Sequence, residues 1–168
     1  EVYCRYRDSK GHMWFGTANF GICRFDGTTW DWMYEAHLTE LPNNAMFGIR
    51  SIIEDKDGAF WFCNTQYRYR MTPRQEGADA ENRNGPVAYT REKGMVLPGD
   101  SSWDPIYFQS IVADERGDLW MATYGDGVWR YDGQNMTHYP VREGGEIVTL
   151  FTIYKDNQGD LWLGTHEH

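Results

Sequence analysis

The chain has 168 residues, and its 16 Lys and Arg against 25 Asp and Glu give a formal charge of −9. This acidic balance argues against a nucleic-acid partner or an anionic membrane surface, and no stretch approaches the roughly 18 apolar residues of a membrane span. The composition includes 8 Trp, 11 Tyr, 8 Phe and 18 Gly, which favours half-buried β-strands separated by tight turns over amphipathic helices.

A pattern of Asp, Gly and Trp recurs four times along the chain. Its copies begin at Asp8, Asp55, Asp114 and Asp156, each with Gly three residues later and Trp six residues later. The intervals between copies are 47, 59 and 42 residues, close to the length of a β-propeller blade. Because Asp and Gly at this spacing form a tight turn, each copy predicts an antiparallel hairpin whose second strand carries the Trp.

The first and third copies continue with two more predicted strands. Residues 21–27 and 127–133 read GICRFDG and GVWRYDG, and the Asp-Gly pair is the strongest short hairpin signal. Aromatic fourth strands follow at residues 28–33 and 134–139. Four strands per period predict an all-β fold, a β-propeller of four-stranded antiparallel blades with about three and a half blades in this chain.

The repeats divide the chain into blade units at about residues 1–47, 48–106, 107–148 and 149–168, the last of them incomplete. The polar segment 72–86 is interpreted as a surface insertion, with a flap over a ligand as the alternative. Half a blade would leave a sheet edge unpaired. We therefore expect further blades, supplied either by the same longer protein or by a second chain.

The third repeat resembles the two-component regulator propeller repeat. In that family Asp-x-x-Gly-x-Leu-Trp-x-Gly-Thr is followed by Gly-Leu-x-Arg-Tyr-Asp-Gly, and Leu119, Trp120, Thr123, Arg130 and Tyr131 stand at the matching positions. The resemblance implies a bacterial signal-transduction protein with a sensor region outside the cytoplasm, periplasmic or extracellular. It also implies recognition of oligosaccharides.

A ligand is expected at one face of the propeller. The Asp-x-x-Gly and Asp-Gly turns lie on the opposite face, so their carboxylates are assigned to turn capping, and the repeat tryptophans to packing between blades. The expected face carries the loop residues 18–20, 66–68, 124–126 and 166–168. Five residues before each repeat Asp, at the expected channel mouth, stand Tyr3, Arg50, Gln109 and Phe151.

Aromatic and polar side chains on this face favour sugar binding. Rings stack on apolar C–H patches, amides satisfy hydroxyls, and an Arg can bind the carboxylate of an acidic sugar. The candidate ligand-binding residues are Tyr3, Arg50, Tyr67, Arg68, Trp103, Tyr107, Gln109 and Tyr124.

Cysteine and histidine give no clear sign of a metal or redox site. Cys4, Cys23 and Cys63 are interpreted as small buried hydrophobes, with a single disulfide as the alternative. The terminal sequence 166–168, His-Glu-His, has the spacing of two metal ligands on one strand, but a frayed terminus is the favoured interpretation. We expect no metal and no other cofactor.

The leading hypothesis is a non-catalytic propeller that binds a carbohydrate or a similar polar metabolite. The sequence contains no Gly-x-Ser-x-Gly elbow, no phosphate loop and no His-Glu-x-x-His motif, which argues against the enzyme classes that use them. One alternative is an enzyme similar to streptogramin lyases, with His166 and Glu167 in proton abstraction. Another is a scaffold whose blades contact a protein partner.

Overall fold

The computed structural model describes residues 1–39, 48–63, 67–72, 84–94 and 108–165. Within these ranges, no helix has the length and apolar character needed to span a membrane. In chain order the elements are β1 (Val2–Arg7), β2 (Met13–Thr17), β3 (Ile22–Phe25), β4 (Trp30–Met33), α1 (Ala36–Thr39), β5 (Ile52–Glu54), β6 (Phe60–Phe62), β7 (Tyr67–Met71), β8 (Asn84–Pro86), β9 (Tyr89–Lys93), β10 (Phe108–Ala113), β11 (Leu119–Thr123), β12 (Val128–Tyr131), β13 (Met136–Tyr139), β14 (Arg142–Glu143), β15 (Glu146–Ile147), β16 (Leu150–Lys155) and β17 (Leu161–Thr165).

The strands form three large sheets and two hairpins. The first blade has the order β1-β2-β3-β4-β8, the second β5-β6-β7-β9 and the third β10-β11-β12-β13, while β16 and β17 form the fourth hairpin and β14 and β15 a small one. Each large sheet contains four strands in antiparallel order. The predicted all-β class with four-stranded antiparallel units is confirmed.

Part of the segment expected as a surface insertion joins the first blade. Residues 84–86 form β8, which pairs in parallel with β4. The Val87 amide donates to the Trp32 carbonyl at 2.9 Å, and the Thr72 amide donates to the Ala88 carbonyl at 2.8 Å. The physical reason is that β4 would otherwise expose the backbone groups of an edge strand. Residues 73–83 of the segment lie outside the described residues.

Each repeat aspartate binds both its own turn and the repeat tryptophan. One carboxylate oxygen accepts the backbone amides two and four residues later, at 2.8–3.0 Å. The other accepts the indole N–H of the tryptophan at 2.8 Å in the first, second and fourth repeats and 3.0 Å in the third. Turn capping is therefore confirmed, and the bond to the indole joins the turn to the second strand.

The tryptophans of the first two repeats pack against rings of the following blade. The Trp14 ring lies 4.5 Å from the Phe60 ring and 6.4 Å from that of Phe62, centroid to centroid, and Trp61 lies 5.1 Å from Tyr131. Trp14 is only 1% exposed, whereas Trp162 of the fourth hairpin is 62% exposed. Large rings thus supply much of the apolar surface that the blades bury between them.

A small polar side chain joins the inner strands of adjacent blades. It stands four residues before each repeat aspartate, and in the first three blades it makes a hydrogen bond to the next blade. The bonds run from Cys4 Sγ to the Ile49 carbonyl (3.3 Å), from the Ile111 amide to Ser51 Oγ (3.0 Å) and from Ser110 Oγ to the Ile153 carbonyl (3.3 Å). The inner strands β1, β5, β10 and β16 consequently lie side by side in chain order.

The three cysteines are free thiols, and Cys23 and Cys63 are buried. Burial raises the pKa of Cys4 to about 12 and that of Cys23 and Cys63 to about 11. Neutral thiols in apolar surroundings are poor nucleophiles. The burial of Cys23 and Cys63 agrees with their interpretation as small hydrophobes, whereas Cys4 is part-buried and bonds to the next blade.

Replacing the repeat aspartate will cost most where its tryptophan is buried. Asp8→Ala leaves the buried Trp14 indole N–H without an acceptor, and we expect it to lower the free energy of unfolding by about 3 kcal/mol. Asp156→Ala removes the same bonds beside the exposed Trp162, where water can replace them, and is expected to cost about 1 kcal/mol. Urea unfolding of the two variants tests this, and equal losses would contradict it.

Acid will destabilise the fold through the turn aspartates. The amide and hydroxyl of Thr29 lower the pKa of Asp26 to about 2, and the indole of its tryptophan lowers the pKa of Asp156. For Asp8 and Asp114 burial raises the pKa, but hydrogen bonds outweigh it and hold the pKa below its usual value.

Carboxylates with depressed pKa values stabilise the protein above their unfolded-state pKa, and this contribution is lost as the pH falls through their folded-state values. We therefore expect the free energy of unfolding to decline between about pH 4 and about pH 2. Asp26→Asn should make this decline shallower in urea titrations at each pH. An unchanged slope would contradict the assignment.

Candidate ligand-binding site

An extra residue interrupts the first strand of three blades. Val2 is opposite Thr17 and Cys4 is opposite Gly16, so Tyr3 has no partner in the ladder. The same shift in register occurs at Gln109 in β10 and at Phe151 in β16, which stand outside the regular pairing with the second strand. Such bulges redirect a side chain and are frequent next to binding sites. Their residues are three of the four that stand five positions before a repeat aspartate.

Arg50 occupies the equivalent position in the second blade. Because β1, β5, β10 and β16 are neighbours in this order, the four equivalent residues lie in or, for Arg50, two residues before adjacent strands. We call this set the bulge row, and it consists of Tyr3, Arg50, Gln109 and Phe151.

Tyr3 and Arg50 form a cation–π pair at one end of the bulge row. The guanidinium carbon of Arg50 lies 4.7 Å from the centre of the Tyr3 ring, and Tyr3 remains 39% exposed. The backbone amide of Arg50 donates to Cys63 Sγ at 2.9 Å, which holds the start of this strand. A guanidinium placed on an aromatic ring keeps edge donors that can bind a carboxylate or hydroxyl group.

Phe151 pairs with a loop residue at the other end of the row. Its ring meets that of Tyr124 edge to face, with centroids 5.9 Å apart, and Tyr124 is 61% exposed. Thr123 shapes the loop because its hydroxyl donates to the Gly127 carbonyl at 2.8 Å and accepts the Asp126 amide at 3.1 Å. The corresponding loop of the first blade, shaped by Thr17, also exposes a ring, that of Phe20.

Gln109 lies between these two pairs. It is only 7% exposed, unlike the aromatic residues on either side of it. A side-chain amide offers two donors and an acceptor. The bulge row therefore combines aromatic rings, one guanidinium and one largely buried amide.

Sequence and structure comparisons relate the chain to known propellers. The profile of the Two component regulator propeller matches residues 1–19 and 144–167, which contain the inner hairpins of the first and fourth repeats. These two segments therefore match the two component regulator propeller repeat. The inner hairpins of the second and third repeats share their strand register.

Solved structures confirm the propeller fold. The extracellular domain of a hybrid two component system from B. thetaiotaomicron matches with a TM-score of 0.64 and 22% identity, over 98% of this chain and 20% of that one. Virginiamycin B lyase from Staphylococcus aureus matches with a TM-score of 0.60 and 19% identity, over 98% of this chain and 48% of the lyase. PorZ is a surface component of the type-IX secretion system of Porphyromonas gingivalis. It matches with a TM-score of 0.58 and 14% identity, over 98% of this chain and 24% of PorZ.

The chain spans about a fifth of the length of the sensor domain and about half of the lyase. These identities show the fold alone. No curated protein sequence matches the chain.

Two candidate residues of the propeller's second blade have partners within that blade. Arg68 stands opposite Trp61 in register, as Arg24 and Arg130 stand opposite the tryptophans of their repeats. Its guanidinium lies 3.3–3.4 Å from the carboxylates of Asp55 and Asp57 and 3.0 Å from that of Glu92. Arg68 is thus the structural equivalent of Arg24 and Arg130 and lies outside the bulge row.

Tyr67 also contacts a residue of its own blade. The ring of Tyr67 is covered by the guanidinium of Arg91, whose carbon lies 4.5 Å from the ring centre. Trp103 and Tyr107 lie outside the described residues, as do His166 and Glu167. Among the residues that are described, no group of three His, Cys, Asp or Glu side chains is arranged to hold a metal ion.

Gly127 is required for the loop that carries Tyr124. Its φ is +70°, and a Cβ added there would lie 2.5 Å from the Tyr139 carbonyl oxygen. Gly125 in the same loop has a φ of +88° with no atom within 4 Å of an added Cβ. We expect Gly127→Ala to lower the free energy of unfolding by more than about 2 kcal/mol and Gly125→Ala by about 1 kcal/mol. Thermal and urea unfolding measure the difference, and a reversed order would contradict this account.

Proposed function

We propose that this chain is part of a sensor propeller that lies outside the cytoplasm, in the periplasm or at the cell surface, and binds a carbohydrate or a similar polar metabolite without transforming it. The bulge row is the binding site. The observation that carries the proposal is the pairing of Tyr3 with Arg50 and of Tyr124 with Phe151 on the two sides of the Gln109 amide.

The chemistry of the row suits a sugar. Exposed rings at both ends can stack on the apolar C–H faces of sugar rings, and the amide between them can bind a hydroxyl as donor and acceptor. Arg50 adds a permanent positive charge, which favours ligands with a carboxylate or another anionic group. Tyr3 and Phe151 each already contact a second side chain. Ligand binding therefore costs less side-chain conformational entropy than it would if these side chains made no contacts.

The side chains of the row also favour binding over catalysis. Tyr3, Arg50, Gln109 and Phe151 include no His, Asp, Glu or Lys, which are the usual general acids and bases. The similarity to virginiamycin B lyase keeps a lyase as the second candidate, in which His166 and Glu167 would supply the proton-transfer groups. Replacement of both residues would abolish a lyase activity and leave ligand binding nearly unchanged.

Further propeller blades complete the functional unit in this proposal. The sensor domain that matches the chain is about five times as long as the matched part. Those blades would contribute additional side chains to the same face.

Arg50→Gln is expected to weaken ligand binding. A panel of neutral and acidic oligosaccharides is titrated by calorimetry, and binding of at least one member is expected. The substitution removes the charge-assisted bonds of the guanidinium, so the dissociation constant should rise about tenfold or more, with the largest loss for an acidic ligand.

Arg116→Gln is the matched control, because Arg116 is exposed on an Asp-x-x-Gly turn and should change affinity less than about twofold. Unfolding curves establish that both variants are folded. The absence of binding to every oligosaccharide, or equal affinity of the two variants, would contradict the proposed site.

A further inference from the structure

Arg91 stands on β9, the outermost strand of the second blade, and its side chain is 48% exposed. The guanidinium carbon lies 4.5 Å from the centre of the Tyr67 ring, and Nη1 lies 4.0 Å from Oε2 of Glu35. Within the described ranges, the Arg91 side chain makes these two contacts and no hydrogen bond. The ring and the carboxylate therefore orient the guanidinium without occupying its N–H donors.

The carboxylate near Arg91 is already engaged by two tyrosines. Glu35 Oε1 accepts the hydroxyl of Tyr89, and Oε2 accepts that of Tyr69 at 3.3 Å. Burial raises the pKa of Tyr89 to about 12, and the Glu35 carboxylate adds to the rise, so this phenol keeps its proton. The rings of Tyr69 and Tyr89 meet edge to face, with centroids 5.6 Å apart. Glu35 is thus held by these phenols and attracts Arg91 only at the longer distance.

This arrangement differs from that of the repeat arginines. Nε of Arg24 donates to Asp31 at 3.1 Å, and Nε of Arg130 donates to Asp118 at 3.0 Å. Those two arginines also cover a tryptophan ring, so they combine ring stacking with a close carboxylate. Arg91 has the ring without the close carboxylate. A planar guanidinium in this state is suited to an incoming carboxylate or sulfate group.

Tyr67 and Arg91, which we call the outer pair, lie at the same end of the second blade as Arg50. Because β5 and β7 both run antiparallel to β6, they start at the same end of the sheet. Arg50 stands two residues before β5, and Tyr67 is the first residue of β7. Two steps between neighbouring strands and the rise along the strand place the backbones of Arg50 and Tyr67 about 10–15 Å apart.

The outer pair also lies on the same side of the blade as the pair of Tyr3 and Arg50, which we call the inner pair. Arg50 covers a ring of the first blade. Tyr67 shares its sheet face with Tyr69, two residues along β7, and the Tyr69 hydroxyl contacts Glu35 in the segment that follows β4. Both arginine–tyrosine pairs therefore lie on the side of the second blade that faces the first.

We propose that the outer pair is a second anion-binding subsite, and that the ligand of the bulge row is an oligosaccharide with at least two acidic groups. Arg50 would bind one of these groups and Arg91 the other. This inference rests on the proposed function, because it assigns both pairs to the same ligand. The separation of the pairs exceeds that of two groups on one sugar ring, so the acidic groups belong to different residues of the oligosaccharide.

The charge of the chain makes this requirement selective. The formal net charge of −9 opposes the approach of any anion, and Glu35 opposes it close to Arg91. An acidic group gains at the outer pair only when it forms short bonds to the guanidinium. Once the ligand is held at the inner pair, its second acidic group reaches Arg91 at a high effective concentration.

Calorimetric titration of the full chain with matched oligosaccharides tests the proposal. The probes are a tetrasaccharide of galacturonic acid, a sulfated tetrasaccharide, and a neutral tetrasaccharide with one terminal glucuronic acid. At least one of the two probes with several acidic groups should bind about tenfold more tightly than the probe with one. Comparison of the first two probes shows whether carboxylate or sulfate is preferred.

Arg91→Gln should weaken binding of the preferred probe roughly tenfold and change that of the probe with one acidic group less than about twofold. Arg91→Lys keeps the charge without the planar donors and should recover part of the loss. Arg116→Gln is the matched control, since it removes an exposed arginine elsewhere and should change every affinity less than about twofold. Thermal unfolding verifies that the variants are folded.

The results separate this inference from the proposed function. If Arg50→Gln weakens binding while Arg91→Gln matches the Arg116→Gln control, the second subsite is wrong and the bulge row stands. An equal loss for probes with one and with several acidic groups in Arg91→Gln would also overturn the subsite, because Arg91 would not then bind a second group. If no probe binds to the unchanged chain, both the proposed function and this inference are contradicted.

Discussion

The hydrogen bond between the repeat aspartate and the repeat tryptophan organises the rest of the fold. One carboxylate closes the turn through two backbone amides and fixes the indole through a third donor. The indole then presents its faces to two neighbours, the arginine of its own third strand and the aromatic residues of the next blade. A single side chain thus links a local turn to blade assembly, and because the link is repeated, the blades follow one another with the same offset.

The bulge row, proposed above as the ligand site, depends on the same regularity. When the turn fixes one end of each inner hairpin, the bulge falls at the same level in successive first strands. The side chains at that level can then vary without disturbing the ladder, since the extra residue stands outside the regular pairing register. Tyr3, Gln109 and Phe151 stand at such bulges. The hydrogen bonds and the rings of the blades thereby leave the chemistry of this row free to vary within the same fold.

The repeat made the fold class predictable from the sequence, because Asp, Gly and Trp at fixed spacing have a direct structural meaning. The level of Tyr3, Arg50, Gln109 and Phe151 was predictable for the same reason. Arg68 was a candidate because the second blade lacks the Asp-Gly turn, which hid its equivalence to Arg24 and Arg130; only the register reveals it. The contact between Tyr124 and Phe151 joins positions 27 residues apart and has no local signal. The addition of β8 to the first blade also has no local signal in the sequence, because it depends on where the second blade places the loop that contains β8.

That addition of β8 couples two blades during folding. The outer edge of β4 obtains its last partner from residues more than 50 positions later, across the whole of β5, β6 and β7. Pairing at such sequence separation is slow, because the loop-closure entropy is lost before the contacts form. The first blade can therefore reach its final state only after β5, β6 and β7 of the second have been synthesised. Because the segment that pairs with β4 lies between two strands of the second blade, opening of the second blade removes a support of the first.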